Sequence, residues 1–218
     1  MEFTFALINF PGKGLYFTTL NVPVFPMLKL LRRKRIRRLS SKVQEGEMKV
    51  LHISDTPESV YDFIEELIDE LNPEVIIHTG DLADNIKLER RPELKPLYTG
   101  ALRKLARILK RSGAKLYIVP GNEDDPELVR EFFGECVVEP GTVVEIGGKR
   151  FALGHKPEDV EEIEADFRLY GHNFRRIPRG VNGVIGANLI LLPSGRVHRI
   201  GYPTGTDTDR GYKLWRGM

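Results

Sequence analysis

Apolar positions recur along the chain at two spacings, and the spacings divide it into elements. From Met48 onward, β-branched runs alternate with segments of helical period. Val50 to Ser54 predicts a strand, and Pro57 to Leu71 a helix with Val60, Phe63, Ile64, Leu67 and Leu71 on one face. Val75 to Thr79 predicts a second strand. A helix follows over 97–111 with Leu102, Leu105, Ala106 and Leu109 apolar, then a strand from Lys115 to Val119 and a short helix from Pro126 to Phe133. Beyond Phe133 the runs shorten. Strands are predicted at Thr142–Ile146, Arg150–Leu153, Phe167–Tyr170, Gly183–Ala187, Leu189–Leu192 and Val197–Ile200, interrupted by a helical segment at Pro157–Ile163. A βαβαβα half followed by a strand-rich half predicts an α/β fold of two packed mixed sheets flanked by helices.

Residues 1–47 follow a different pattern. Thr4 to Phe10 and Leu15 to Val22 predict a hairpin around Pro11-Gly12-Lys13-Gly14, and Met27 to Val43 predicts a helix. That helix holds Arg32, Arg33, Arg35, Arg37 and Arg38, a density of cations that would bind nucleic acid, anionic lipid or a protein partner, or form a solvated face. The boundary predicts a basic extension, 1–47, and a main domain, 48–218; the chain proper could equally begin at Met48. The formal net charge of +2 conceals this division: residues 1–47 carry nine Lys or Arg against three Glu, +6, leaving 24 against 28, or −4, for the rest. Lys13, Asn21, Pro23 and Pro26 interrupt the N-terminal apolar run, short of the roughly 18 to 20 residues of a spanning helix. A single cysteine, Cys136, excludes an internal disulfide and a cysteine metal cage and predicts a cytoplasmic location.

Candidate chemistry lies where the strands end. Ile53-Ser54-Asp55, Thr79-Gly80-Asp81, Pro120-Gly121-Asn122, Leu153-Gly154-His155 and Tyr170-Gly171-His172 each close an apolar run with a small residue or two and then Asp, Asn or His. Such a series delivers hard and borderline metal ligands to one edge of a sheet, where open α/β folds hold ligands. His52, His78 and His198 lie inside strands and read as structural histidines, and Cys136 reads as a small buried apolar residue rather than a nucleophile.

In order, the blocks Asp55-Thr56-Pro57, Gly80-Asp81-Leu82-Ala83-Asp84, Gly121-Asn122-Glu123-Asp124, Gly154-His155 and Gly171-His172-Asn173-Phe174 resemble the calcineurin-like metallophosphoesterase superfamily, specifically its small prokaryotic phosphodiesterase branch. The resemblance covers about residues 48–202 and implies a four-layer sandwich with two metal ions. It implies that Asp81, Asn122, His155 and His172 hold one ion, and that Asp55 and Asp81 retain half of the second ion's ligands. Where the family has histidine, this chain has Pro57, Glu123 and Phe174. The resemblance therefore implies one tightly bound divalent transition metal (Mn, Zn, Ni or Fe) and a depleted neighbour. Asp84, Glu123 and Asp124 would crowd into an acidic cluster, from which Glu123 or Asp124 would take the acid role left by the lost histidine or which would recruit a different cation. Apart from the resemblance, Arg175, Arg176 and Arg179 would contact a substrate phosphate or equally form an exposed basic loop.

Two functions are compatible with these residues. One is a metal-dependent phosphoesterase of reduced or altered activity on a phosphoester or nucleotide small molecule. The other is a catalytically inactive family member that binds nucleic acid or protein through its basic helix.

Overall fold

A computed structural model describes residues 4–10, 14–20, 33–34, 36–39, 41 and 46–212. The chain separates into two compact units, Met1–Lys42 and Val43–Met218. In the first, β1 (Thr4–Phe10) pairs antiparallel with β2 (Gly14–Leu20), from Thr4 opposite Leu20 to Phe10 opposite Gly14. Residues 33–34 and 36–39, including Arg33, Arg37 and Arg38, are helical, whereas Arg32, Arg35 and the 11–13 turn lie outside the described residues. Among the described residues, no helix is long and apolar enough to cross a membrane.

The second unit contains two sheets. The larger is built from β3 (Met48–Ile53), β4 (Val75–His78), β5 (Lys115–Ile118), β10 (Ala187–Leu192) and β11 (Arg196–Ile200), in the order β11-β10-β3-β4-β5. Its β3, β4 and β5 are parallel, so their C-terminal ends share one edge. The crossovers are α1 (Tyr61–Leu71) and α2 (Lys95–Arg111), and α3 (Pro126–Phe133) follows β5. Right-handed β-α-β connections place α1 and α2 on one face of the sheet. α1 stops at Asn72, which adopts the left-handed conformation and donates its N–H to the Ile68 carbonyl, and Pro73 prevents continuation. α3 begins where the Asp125 carboxylate accepts the N–H groups of Glu127 and Leu128.

The smaller sheet orders β6 (Thr142–Ile146), β7 (Lys149–Leu153), β8 (Phe167–Tyr170) and β9 (Gly180–Asn182) in sequence, with β7, β8 and β9 parallel. Period-2 alternation sends one face of each sheet into a shared core. Val50, Val75, Ile77, Ile190 and Leu192 pack there against Ile146, Phe151, Leu153, Leu169 and Val181. Burial of each such side chain contributes about 1.5–3 kcal/mol, enough to hold the two sheets in one register.

Three predicted elements differ. The helix expected from Pro57 to Leu71 opens as a 3-10 turn, Glu58–Val60, and becomes α-helical only from Tyr61. The helix expected over Pro157–Ile163 is a single 3-10 turn, Pro157–Asp159, in a segment whose Val160, Ile163 and Ala165 cover Ala152 and Tyr170 of the smaller sheet. The strand expected at Gly183–Ala187 instead spans Gly180–Asn182. Gly183 leaves the ladder because it packs against the Ser54 and His52 side chains, where a Cβ would overlap Ser54.

Candidate metal centre

The tips of β3, β4, β7 and β8 are joined by backbone hydrogen bonds. The Asp55 N–H bonds the Gly80 carbonyl at 2.9 Å, the Thr56 N–H bonds the Asp81 carbonyl at 2.9 Å, and the Gly171 N–H bonds the His155 carbonyl at 2.9 Å. Asp55, Asp81 and His172 adopt left-handed backbone conformations, with φ of 52°, 55° and 65°. Such conformations in non-glycine residues cost about 1–3 kcal/mol each and concentrate at functional sites. The glycines before His172 and Asn122 have a steric cause: a Cβ on Gly171 would overlap the Ser54 hydroxyl and Asp55 carboxylate, and one on Gly121 would overlap the Asp81 carboxylate.

Four donor atoms converge on one point. His155 Nε2 lies 3.0 Å from Asn122 Oδ1, 3.2 Å from His172 Nδ1 and 3.5 Å from Asp81 Oδ1. The other His155 nitrogen, Nδ1, donates its N–H to the Thr79 carbonyl at 2.8 Å. In the neutral ring Nε2 therefore keeps its lone pair toward the cluster. The Asn122 amide is oriented by its Nδ2, which donates to Glu89 Oε2 at 3.0 Å, so its oxygen also faces inward. Two acceptors in contact with no hydrogen between them are the arrangement a cation stabilises, and the carbonyl behind His155 is the outer partner that metal-bound imidazoles carry. Burial and the adjacent His155 hold His172 below the usual imidazole range, which favours its ligating form. Asp81, His155 and His172 thus fit a divalent ion, with Asn122 as fourth donor.

Beside this set lies a carboxylate group. Asp55, Asp81 and Asp84 are buried, and one ligand atom from each lies within 4.8 Å of the others. Burial, then the Asp55 charge, raises the Asp84 carboxyl from 3.8 to about 7, and burial with the neighbouring carboxylates raises Asp81 well above its ordinary value. Asp55 is oriented by the Ser54 hydroxyl at 2.5 Å and the His172 N–H at 3.0 Å. Phe174 is 52% exposed, and its ring packs edge-on against Tyr212.

The C-terminal segment contributes residues that sequence reasoning missed. Arg210, 1% exposed, donates to the carbonyls of Asp55 at 2.6 Å, Val184 at 2.9 Å and Ser54 at 3.3 Å, and its guanidinium lies over the Tyr202 ring. The Tyr212 hydroxyl donates to the His172 carbonyl at 3.2 Å and stands 3.5 Å from Asp55 Oδ1. No periodicity in 201–212 marks either residue, because each acts on a partner far away in the chain.

Other expected roles change. Asp124 is not placed to donate a proton: it accepts the N–H groups of Asp81 at 2.8 Å, Leu82 at 2.8 Å and Gly121 at 2.7 Å, and the Tyr98 hydroxyl at 2.9 Å. It brackets the Asp81 and Asn122 loops together. Burial raises its pKa, while these hydrogen bonds pull the other way and favour the anion. Glu123 is also engaged, accepting the Glu89 N–H at 3.0 Å and facing Lys87 Nζ at 4.0 Å, and its own N–H donates to Asp81 Oδ1 at 3.0 Å. Both of its oxygens face donors, which argues against the acid role. Arg175 is held by Glu158 at 2.5 Å and Glu161 at 2.6 Å, so its guanidinium is committed to surface pairs rather than to a phosphate; Arg176 is exposed nearby. His52 and His78 are core residues bonded to Thr79 Oγ1 and Thr56 Oγ1, each at 2.9 Å, and burial lowers both to about 3.

No curated protein matches the chain. Solved structures similar to it include YfcE, a phosphoesterase from E. coli, at 15% identity and a TM-score of 0.46, covering 72% of this chain and 100% of that one. Another is the protein of unknown function AQ665 from Aquifex aeolicus, at 19% identity and a TM-score of 0.39, covering 62% and 89%. The family model described as calcineurin-like phosphoesterase matches residues 48–217, the stretch that carries every strand tip of the centre. On that match, the chain belongs to the calcineurin-like phosphoesterase family.

Proposed function

We propose that the chain is a metal-dependent phosphoesterase acting on small phosphodiesters or phosphomonoesters, nucleotides among them, through one complete nitrogen–oxygen half-site. The observation that supports this most is the convergence of Asn122 Oδ1, His172 Nδ1 and Asp81 Oδ1 on His155 Nε2. Those four residues would hold a divalent transition metal such as Mn, Zn, Ni or Fe. When bound, the ion supplies Lewis-acid polarisation of a phosphoryl oxygen and lowers the pKa of water.

The chain's own groups position that chemistry. Thr79 orients His155, Glu89 orients Asn122, Asp124 locks the Asp81 and Gly121 loops to each other, and Glu123 fixes Asp81 through its N–H. Pro57 and Phe174 bring no lone pair where the family has imidazole, so turnover below that of members with a full histidine set belongs to the reading. A single cysteine fits a reducing compartment such as the cytoplasm.

The test is hydrolysis of an aryl phosphodiester with added Mn, Ni, Zn or Mg, comparing the native chain with Asp81→Ala. Metal-dependent turnover lost in the variant supports the reading; equal turnover in both under every metal removes it.

A further inference from the structure

We propose that Phe174, held against Tyr212, forms an aromatic wall beside the metal centre that stacks the base of a nucleotide substrate. Large apolar side chains exposed among the described residues are Leu97, Val143, Phe174 and Val197, and of these Phe174 alone is aromatic. It stands two positions after His172, where the family has a histidine. The inference rests on the phosphoesterase reading above and names a substrate class for the same centre.

A lone exposed apolar side chain is ordinary on a protein surface. This one differs because its backbone is fixed from both sides. Asn182, 2% exposed, donates from Nδ2 to the carbonyls of Asn173 at 2.7 Å and Arg175 at 3.2 Å. The Tyr170 hydroxyl donates to the Arg175 carbonyl at 2.8 Å, and the Arg175 N–H donates to Asn173 Oδ1 at 2.9 Å. A ring carried on a backbone ordered in advance loses little entropy when a ligand packs on it.

The ring also has an aromatic partner that is tied to the centre. Phe174 and Tyr212 lie 5.3 Å apart at 61°, an edge-to-face pair. The Tyr212 hydroxyl donates to the His172 carbonyl at 3.2 Å and stands 3.5 Å from Asp55 Oδ1. The pair therefore adjoins the ligand set itself. Phe174 remains 52% exposed after this contact, so ring surface is left for a ligand.

The available chemistry is stacking rather than charge, because the neighbouring Arg175 guanidinium is committed to Glu158 and Glu161. A phosphate held beside His172 and a base packed on Phe174 would be joined by the sugar of one nucleotide. Every base has a π-face, so the wall should discriminate little among bases and strongly against a substrate that has none.

Binding measurements separate this inference from its parent. The full chain, loaded with zinc, is titrated calorimetrically with adenosine monophosphate and with ribose 5-phosphate, which lacks the base. The native chain should prefer the nucleotide by about tenfold, within the range for stacking one base on one aromatic side chain. Phe174→Leu keeps apolar bulk but no ring, and should bring the two ligands within about twofold of each other. Its affinities for ribose 5-phosphate and for zinc should match those of the native chain. Phe174→Trp should keep the preference, and its added emission over the Trp215 background should be quenched by the nucleotide and not by ribose 5-phosphate. Equal affinity of the native chain for the two ligands, or a preference that survives in Phe174→Leu, overturns the wall while the parent reading stands. If the zinc-loaded native chain binds neither ligand, the parent reading falls and takes the wall with it. Circular dichroism confirms that each variant is folded.

Discussion

His155 Nε2 and Asn122 Oδ1 face each other at 3.0 Å, with the remaining polar atom of each side chain committed elsewhere, to Thr79 and Glu89. A cation between them converts a contact of two lone pairs into two bonds. Asn122→Ala is therefore expected to weaken zinc or manganese binding on the order of 100-fold, comparable to the loss of a metal-ligating His partner. Calorimetry on metal-free protein measures this, and unchanged affinity would place the ion elsewhere.

Stability of the metal-free protein should depend on pH in an unusual direction. Asp84 titrates at about 7 instead of 3.8, chiefly through burial and then the Asp55 charge, and Asp81 is raised too. The folded chain holds protons that the unfolded chain has released, so this contribution is complete below about pH 4 and is lost as pH rises through about 7. Melting in chelator should show wild type losing stability relative to Asp84→Asn between about pH 4 and pH 7. Parallel curves for the two proteins would contradict it.

Removing the buried guanidinium of Arg210 leaves the Ser54, Asp55 and Val184 carbonyls short of donors. Arg210→Met should cost about 3 kcal/mol or more, since each buried acceptor left without its donor costs about 1–3 kcal/mol. Urea denaturation reads this directly; a cost under about 1 kcal/mol, as for an exposed pair, would show that the segment is not a clamp.

Phe174 projects to solvent two residues beyond His172. Phe174→His restores an imidazole and should raise the affinity of the centre for a second zinc or nickel, with stability changed by no more than about 1.5 kcal/mol because only the edge contact with Tyr212 is lost. Metal analysis after dialysis against zinc provides the count. The same occupancy in Phe174→His and wild type would mean that the new ring does not reach the centre.

Every donor of the centre belongs to the unit Val43–Met218. A chain lacking residues 1–46 should retain metal binding and hydrolysis, and should elute earlier in salt from heparin if the arginines at 32–38 bind polyanions. Lost hydrolysis would show that the extension supports the centre, and unchanged heparin retention would remove the polyanion role.

The local pattern determined which strand ends carry candidate ligands. An apolar run closed by glycine and then Asp, Asn or His is a short-range signal, and Asp81, Asn122 and His172 each lie within 3.5 Å of His155 Nε2. Helix α3 matched its predicted bounds, and α2 matched its C-terminal end, because capping and period are local too. Tertiary structure alone decided the rest. Asp124 became a bracket because the backbone N–H groups of a loop more than 40 residues earlier point at it. Asp84 joined Asp55 through a turn that folds back, and Arg210 reached Asp55 across 155 residues. These roles depend on donors and acceptors that meet only after the two sheets close over one core, so no spacing along the chain encodes them.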